Sequence, residues 1–176
     1  VSEGAHENTF AAVQFDGKSD GLFLQQIPIA GWDRFTIEIL FRPDAGGLPE
    51  QRFLHLQDDQ GRRLLIELRI LPGDQWCLDT FLYSDSGHRL TLIDRAKSHA
   101  LGRWHWAALR LADGRMTHFV NGTKECEGEV QFPPMSTTGR TSLGVRQNKV
   151  SWFKGAIREV RFTAGALPVS ELQRLE

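Results

Sequence analysis

Acidic side chains within strand-like segments are the first feature of this chain that could do chemistry. Glu38, Glu67 and Asp79 each interrupt a run of mostly apolar residues. Hydrolysis of a glycosidic bond needs two carboxyl groups at a fixed separation, one as acid and one as base or nucleophile. If these strands share a sheet face, two of the three residues could form such a pair. Alternate glutamates over 125–129 follow a turn, and we interpret them as a solvated strand face.

Nucleophilic catalysis is not favoured by the sequence. Its six histidines accompany no serine in a G-x-S-x-G turn, the motif that presents a nucleophile to a histidine base. His118 lies within a predicted hairpin. We interpret it as a hydrogen-bonded histidine in the core or at its rim; the alternative is contact with a ligand at the edge of a sheet.

The two cysteines, Cys77 and Cys126, are far apart in the sequence. They are too few for a zinc site with four cysteine or histidine ligands of the usual kind. Two alternatives stay open: one disulfide in an exported protein, or two buried thiols that act as small apolar side chains. The sequence favours the thiols.

Period-two alternation decides where these side chains must lie. Apolar residues alternate with others over 35–42, 64–70 and 107–111, a pattern typical of strands with one face on a core and one towards water. Over 75–83, one parity set contains Trp76 and the other contains Asp79. The alternation leaves open which of these two sets faces outward.

Turn signals separate the predicted strands, and Asn-Gly and Asp-Gly pairs are typical of tight hairpins. The signals are Asp16–Gly17, Gly46–Gly47, Asp59–Gly61, Pro72–Asp74, Asp85–Gly87, Asp113–Gly114 and Asn121–Gly122. Many short strands with regular turns predict an all-β fold, a two-sheet antiparallel β-sandwich. At most one or two short helices are expected, the clearest over 168–175, where Pro168 stands near a first turn.

The composition fits one globular domain over 1–176. The chain is 40% hydrophobic and 24% charged, with a formal net charge of −1. That balance argues against a nucleic-acid partner, which usually needs a basic face. No apolar stretch approaches the roughly 20 residues of a membrane-spanning helix. Five Trp and eleven Phe stand against one Tyr; an exposed Trp suits the apolar face of a sugar ring.

A series of short motifs resembles the laminin-G-like, concanavalin A-like jelly-roll domains. In order they are AVQFDG at 12–17, FTIEILFRP at 35–43, WHWAALRLADGRMTHFVNG at 104–122, FKGAIREVRF at 153–162 and ALPVSEL at 166–172. Each motif alone is weak, but their order spans nearly the whole chain. The resemblance implies a jelly roll and aromatic residues in the core at Trp104 and Phe153.

The resemblance also implies a class of function, chiefly carbohydrate or protein binding, outside the cell, in the periplasm or at the cell surface. The enzymes of this architecture carry an E-x-D-x-x-E strand motif, which the sequence lacks. We therefore expect a non-catalytic recognition domain with a glycan ligand. The alternatives are a divergent glycoside hydrolase on the same scaffold and a protein–protein adhesion module.

The predicted binding face consists of charged and aromatic side chains that alternate with the core set. Bidentate hydrogen bonds and a stacking ring suit a polyhydroxylated ligand, whereas the alternative is a face charged only for solubility. The face comprises Glu38, Arg42, Glu67, Arg69, Trp106, Arg110 and Phe119.

Calcium is the metal that the resemblance implies, since many relatives bind one ion through loop carboxylates. Calcium takes six to eight oxygen ligands, so clustered aspartates are the signal. Asp16 with Asp20, and Asp58 with Asp59, are the candidates. Both clusters can equally be turns without a metal.

Overall fold

The alternating segments form the strands of two antiparallel sheets. The computed structural model describes residues 11–84 and 87–175. The strands are β1 (Val13–Asp16), β2 (Leu22–Leu24), β3 (Phe35–Pro43), β4 (Glu50–Asp58), β5 (Arg63–Leu71), β6 (Gln75–Tyr83), β7 (Arg89–Ile93), β8 (His99–Ala100), β9 (His105–Ala112), β10 (Arg115–Val120), β11 (Thr123–Glu129), β12 (Gly139–Leu143) and β13 (Lys154–Ala164).

The strand order defines a β-sandwich. One sheet has the order β1-β13-β3-β9-β10-β11, and the other has β2-β12-β4-β5-β6-β7, with β8 paired to β6. We call them the six-stranded and the seven-stranded sheet. The predicted all-β jelly-roll sandwich is confirmed. Where a short C-terminal helix was predicted, the chain forms a single 3-10 turn over Val169–Glu171.

The core lies between the sheets and is built by the inward parity set of each strand. Phe41 stacks on Phe53 with ring centroids 4.4 Å apart, and Trp76 meets Phe41 edge-on at 5.1 Å. Phe153 is fully buried, as predicted. Trp104 is partly buried and lies outside the core cluster, with the Arg42 guanidinium 5.5 Å from its ring centroid. The chain reaches Trp104 just before β9 begins at His105.

Two predicted hairpin turns have the expected backbone. Asp113 and Gly114 have φ of 53° and 71°, and Asn121 and Gly122 have 48° and 76°. Positive φ at both central residues matches the right-handed twist of the flanking strands. These turns fix the register of β9, β10 and β11. The predicted turn that begins at Asp85 lies outside the described residues.

The parity of β6 is settled by its neighbours. Trp76, Leu78 and Thr80 face the core, so Asp79 and Phe81 face outward. Thr80 Oγ1 lies 2.9 Å from Nδ1 of the fully buried His118 on β10 of the other sheet. His118 is thus a hydrogen-bonded core histidine that links the two sheets. Burial lowers its pKa to about 4, which keeps the ring neutral at pH 7.

Candidate functional site

The outer face of the seven-stranded sheet carries a charged depression of about 190 Å³. We call it the arginine pocket. Its polar members alternate with core residues along β4, β5 and β6, and Arg146 reaches it from the loop between β12 and β13. It is lined by Arg52, Arg63, Leu65, Glu67, Arg69, Asp79, Phe81, Thr91 and Arg146.

Strand pairing brings the two carboxylates and the two apolar members of the pocket together. Glu67 on β5 stands opposite Asp79 on β6, and Leu65 stands opposite Phe81. Side chains directly opposite in an antiparallel pair are about 5 Å apart at Cβ. The pocket therefore has an acidic pair beside a small apolar platform.

Two of the arginines hold this acidic pair in place. Arg69 Nε donates to Asp79 Oδ2 at 2.6 Å, and Arg52 Nε lies 3.1 Å from Glu67 Oε2. Arg69 also pairs with Glu50 at the rim, and Arg52 Nη1 donates to the same carboxylate at 3.0 Å. The pairs with Glu67 and Asp79 are largely buried, whereas the Glu50 side chain is half exposed. The acidic pair is therefore held by arginines before any ligand arrives.

Several polar groups of the pocket lack a protein partner. Among the described residues, no donor reaches the buried Oδ1 of Asp79, and no acceptor reaches Arg63 Nε. The Arg63 guanidinium lies over the Tyr83 ring, 5.0 Å from its centroid. A buried polar group without a partner is costly. A ligand that brings a hydroxyl to Asp79 and an acceptor to Arg63 would satisfy both groups.

The electrostatics of the pocket are dominated by positive charge. Four arginines stand against two carboxylates. Burial raises the pKa of Glu67 to about 7, with Asp79 adding to the rise and Arg52 opposing it. Burial also lowers the pKa of Arg146, and the positive charges of Arg52 and Arg63 lower it further. With Glu50 at the rim included, four arginines face three carboxylates, so at least one positive charge is in excess near neutral pH.

His55 lies beside this cluster on β4 and is neutral. Burial lowers its pKa to about 3, and the charges of Arg146, Arg63 and Arg52 act in the same direction. Its Nδ1 accepts the backbone N–H of Gln147 at 3.1 Å. This bond ties the loop that carries Arg146 to the sheet.

The residues of the predicted binding face divide between two sheets. Glu67 and Arg69 line the arginine pocket. The others lie on the outer face of the six-stranded sheet: Glu38, Arg42, Trp106, Arg110 and Phe119. The prediction of a single face was wrong, because alternation separates inward from outward residues but does not show which sheet a strand joins.

The C-terminal segment covers much of that second face. Gln173 donates its backbone N–H to Glu38 Oε1 at 2.7 Å, and Arg110 Nη1 donates to the Leu167 carbonyl at 2.9 Å. Leu172 is buried in a cluster with the fully buried Phe119. Trp106 is 6% exposed. The C-terminal segment therefore occupies the contacts that Glu38, Arg110 and Phe119 could offer a ligand.

Arg52, Arg63, Phe81 and Arg146 line the pocket but were missed as binding residues. Two of them carried a readable signal. Arg63 has the same parity on β5 as Glu67 and Arg69, and Phe81 has the same parity on β6 as Asp79. Arg52 precedes a β-bulge, which interrupts the alternation of β4. Arg146 comes from a loop, where parity gives no information.

The aspartates proposed for calcium serve as turn acceptors. Asp16 Oδ1 accepts the backbone N–H groups of Lys18 and Ser19, each at 2.8 Å, and that of Asp20 at 3.1 Å. These bonds lower the pKa of the Asp16 carboxyl well below its usual range.

Asp58 plays a similar role in the loop after β4. Its Oδ1 accepts the N–H of Arg62 at 2.9 Å and its Oδ2 that of Ser136 at 3.0 Å. Ser136 Oγ in turn donates to Asp59 Oδ1 at 2.6 Å. Over 11–84 and 87–175, no three His, Cys, Asp or Glu side chains form a group that could hold a metal ion.

The remaining acidic and sulfur-containing groups are accounted for by packing. Glu127 and Glu129 are exposed, as predicted, but the Glu125 side chain is 4% exposed and lies 2.7 Å from His99 Nε2. The glutamate row is thus only partly solvated. Cys77 is buried and Cys126 partly buried, and both are free thiols. No helix in the described part of the chain has the length and apolarity to cross a membrane.

Together the sheets, their order and the charged outer face define a lectin-like β-sandwich. A family model of the concanavalin A-like lectin/glucanases superfamily matches residues 16–173. The chain therefore belongs to this superfamily, of the laminin-G type. No curated protein sequence matches the chain significantly.

Solved structures share the fold at low sequence identity. The CBM40 domain of the Ruminococcus gnavus IT-sialidase, bound to α2,3-sialyllactose, has a TM-score of 0.70 at 17% identity, over 92% of this chain and 94% of that one. Domain 4 of AbnA, an extracellular arabinanase of Geobacillus stearothermophilus, in complex with arabinotriose, has a TM-score of 0.66 at 21% identity. The match covers 91% of this chain and 73% of that one. A SAP-like pentraxin of Limulus polyphemus has a TM-score of 0.68 at 17% identity, over 89% of this chain and 76% of that one.

Proposed function

We propose that this domain binds carbohydrate in the arginine pocket on the outer face of the seven-stranded sheet, without cleaving it. The observation that carries the proposal is the pocket itself: fixed polar groups converge beside Leu65 and Phe81. Sugars offer hydroxyl groups for charged partners and a C–H face for an apolar platform. The unpartnered Asp79 Oδ1 is an acceptor for a sugar hydroxyl.

The structural neighbours support the same class of ligand. Two of them are bound to sugars, one to α2,3-sialyllactose and one to arabinotriose. We propose that the domain binds its ligand outside the cell or at the cell surface. One structural neighbour is a domain of an extracellular arabinanase, which supports this location.

A hydrolytic role is less well supported by the pocket. A glycosidase needs one carboxyl group that donates a proton and a second that acts as base or nucleophile, on opposite sides of the bond. Glu67 has a raised pKa, but Glu67 and Asp79 are neighbours on adjacent strands and both are engaged by Arg69. We therefore expect binding without release of reducing sugar.

A protein ligand is the second candidate, favoured by a small apolar groove beside β1 and β2. Val13 and Leu22, which line the groove, are 46% and 44% exposed. A stable protein interface usually takes about 20–30 residues from each partner. The groove is small by that measure, and the glycan remains the first choice.

The test is a glycan panel followed by calorimetry with the strongest binder. Asp79→Asn and Phe81→Ala should each weaken binding by about tenfold or more, because each removes a hydrogen bond or platform worth about 1–2 kcal/mol. Asp113→Asn and Val169→Ala are controls at exposed sites away from the pocket, in the β9–β10 turn and in the C-terminal segment. Unchanged affinity in both pocket variants would place the ligand elsewhere, and no binding to any glycan would end the proposal.

A further inference from the structure

Two arginines of the pocket make no direct ion pair within the described part of the chain. Arg52 and Arg69 are ion-paired with Glu67, Asp79 and Glu50. By contrast, Arg63 and Arg146 form no ion pair with a carboxylate of the described chain. Arg63 Nε is also buried without a hydrogen-bond acceptor in this part of the molecule.

The unpaired arginines lie close enough to each other to interact unfavourably. Burial lowers the pKa of Arg146, and the positive charges of Arg52 and Arg63 lower it further, with Glu67 opposing them in part. Charged groups in partly buried positions are ordinarily paired, because removal from water weakens their solvation. A recognition face built only for solubility would not bring unpaired guanidinium groups together in a depression.

We infer that the glycan bound in this pocket carries an anionic group, a carboxylate or a sulfate, which Arg63 and Arg146 bind. The inference rests on the proposed function and specifies its ligand class. A guanidinium presents parallel N–H donors that match the oxygens of a carboxylate or sulfate. An anion between Arg63 and Arg146 would supply the acceptor that Arg63 Nε lacks and reduce the repulsion between the two side chains.

The rest of the pocket fits the remainder of an acidic sugar. Phe81 and Leu65 provide the apolar platform, and Asp79 Oδ1 can accept a hydroxyl proton at the other end. Glu67 and Asp79 would repel the anion, so it must lie at the Arg63–Arg146 end and not over the acidic pair. The class is therefore an acidic monosaccharide unit, a sugar acid or a sulfated sugar, within a larger glycan.

Calorimetric titration with three probes tests the inference. The probes are 3′-sialyllactose for a carboxylate, a sulfated disaccharide for a sulfate, and lactose as the neutral reference. At least one acidic probe should bind about tenfold or more tightly than lactose, and added inorganic sulfate should compete with it. The acidic probe with the higher affinity shows whether the pocket prefers a carboxylate or a sulfate. Equal affinity for lactose and both acidic probes would overturn the inference.

Substitutions then assign the anion to its arginines. Arg63→Gln and Arg146→Gln should each raise the dissociation constant of the acidic probe about 10- to 100-fold, since each removes a charge-assisted hydrogen bond. Arg146→Lys keeps the positive charge but loses the paired N–H donors of the guanidinium. Its dissociation constant for the acidic probe should therefore lie between those of wild type and Arg146→Gln. Arg115→Gln removes the same charge from an exposed site on the six-stranded sheet and should change nothing. Circular dichroism and melting curves establish that each variant is folded.

The failure of the inference can be told apart from the failure of the proposed function. If neutral glycans bind and Asp79→Asn weakens them while Arg63→Gln and Arg146→Gln do not, the carbohydrate site stands and its acidic specificity is wrong. If no neutral or acidic glycan binds, the proposed function fails and the inference fails with it.

Discussion

The buried Glu67 carboxyl should make this protein less stable as the pH rises. Its pKa is about 7 in the folded chain against 4.5 for the ordinary residue. The folded state therefore holds the Glu67 proton to higher pH than the unfolded state does. The stability that this proton contributes is fully present below about pH 4.5 and is lost as the pH rises through about 7.

The Glu67→Gln substitution isolates this effect, because glutamine keeps the shape and cannot titrate. One pKa unit corresponds to about 1.4 kcal/mol, so the full shift amounts to about 3 kcal/mol. Integrated from pH 5 to pH 9, wild type should lose about 2.5 kcal/mol of unfolding free energy relative to the variant. The free energy of unfolding of the variant should therefore rise relative to wild type as the pH becomes alkaline, although the variant loses the ion pairs with Arg52 and Arg69.

Urea denaturation of both proteins at pH 5, 7 and 9 measures this difference. Other titrating groups affect wild type and variant alike, so only the pH dependence of the difference is compared. Glu129→Gln, at an exposed site on the other sheet, is the control and should give a difference that is flat with pH. If Glu67→Gln is equally flat, the carboxyl is ionised in the fold at neutral pH, and the account of the pocket's charge is wrong.

Further predictions concern the core, the C-terminal segment and calcium. Phe153→Ala should cost about 3–5 kcal/mol in urea denaturation, whereas the half-buried Trp104→Ala should cost less; the reverse order would contradict the packing described. Leu172→Ala should cost about 2–4 kcal/mol by the same measurement, because Leu172 anchors the segment over the six-stranded sheet, and a loss below about 0.5 kcal/mol would show that this segment is not docked. Millimolar calcium should leave the melting temperature at its value in chelator, because Asp16 and Asp58 already accept several backbone N–H groups. A melting temperature that rises with the logarithm of free calcium would show that the domain binds the ion.

Local signals in the sequence were sufficient for the fold. Alternation with period two shows the inward set of each strand, and paired positive-φ turns such as Asn121–Gly122 set the hairpin register. Both signals depend on neighbours in the chain. The aromatic at 104 shows the limit, since its position in a motif did not establish its burial.

The site depends on contacts between distant parts of the chain, so only some of its residues could be predicted from the sequence. Glu67 and Arg69 could be found from the parity of β5 alone. The covering of Glu38 by Gln173 joins residues 135 positions apart, and no local pattern indicates it. Arg146 enters the pocket on a loop held by His55, another long-range contact. Alternation shows that a side chain points outward, but tertiary structure decides whether the outward face stays open.

The central claim is that the ligand occupies the arginine pocket, and an NMR titration of the 15N-labelled domain with 3′-sialyllactose tests it most directly. The account predicts that the largest amide shifts cluster on β5 and β6 around Leu65, Glu67, Asp79 and Phe81, and that Arg146→Gln weakens them. Shifts that cluster around Trp106 and Phe119, on the outer face of the six-stranded sheet, would contradict it.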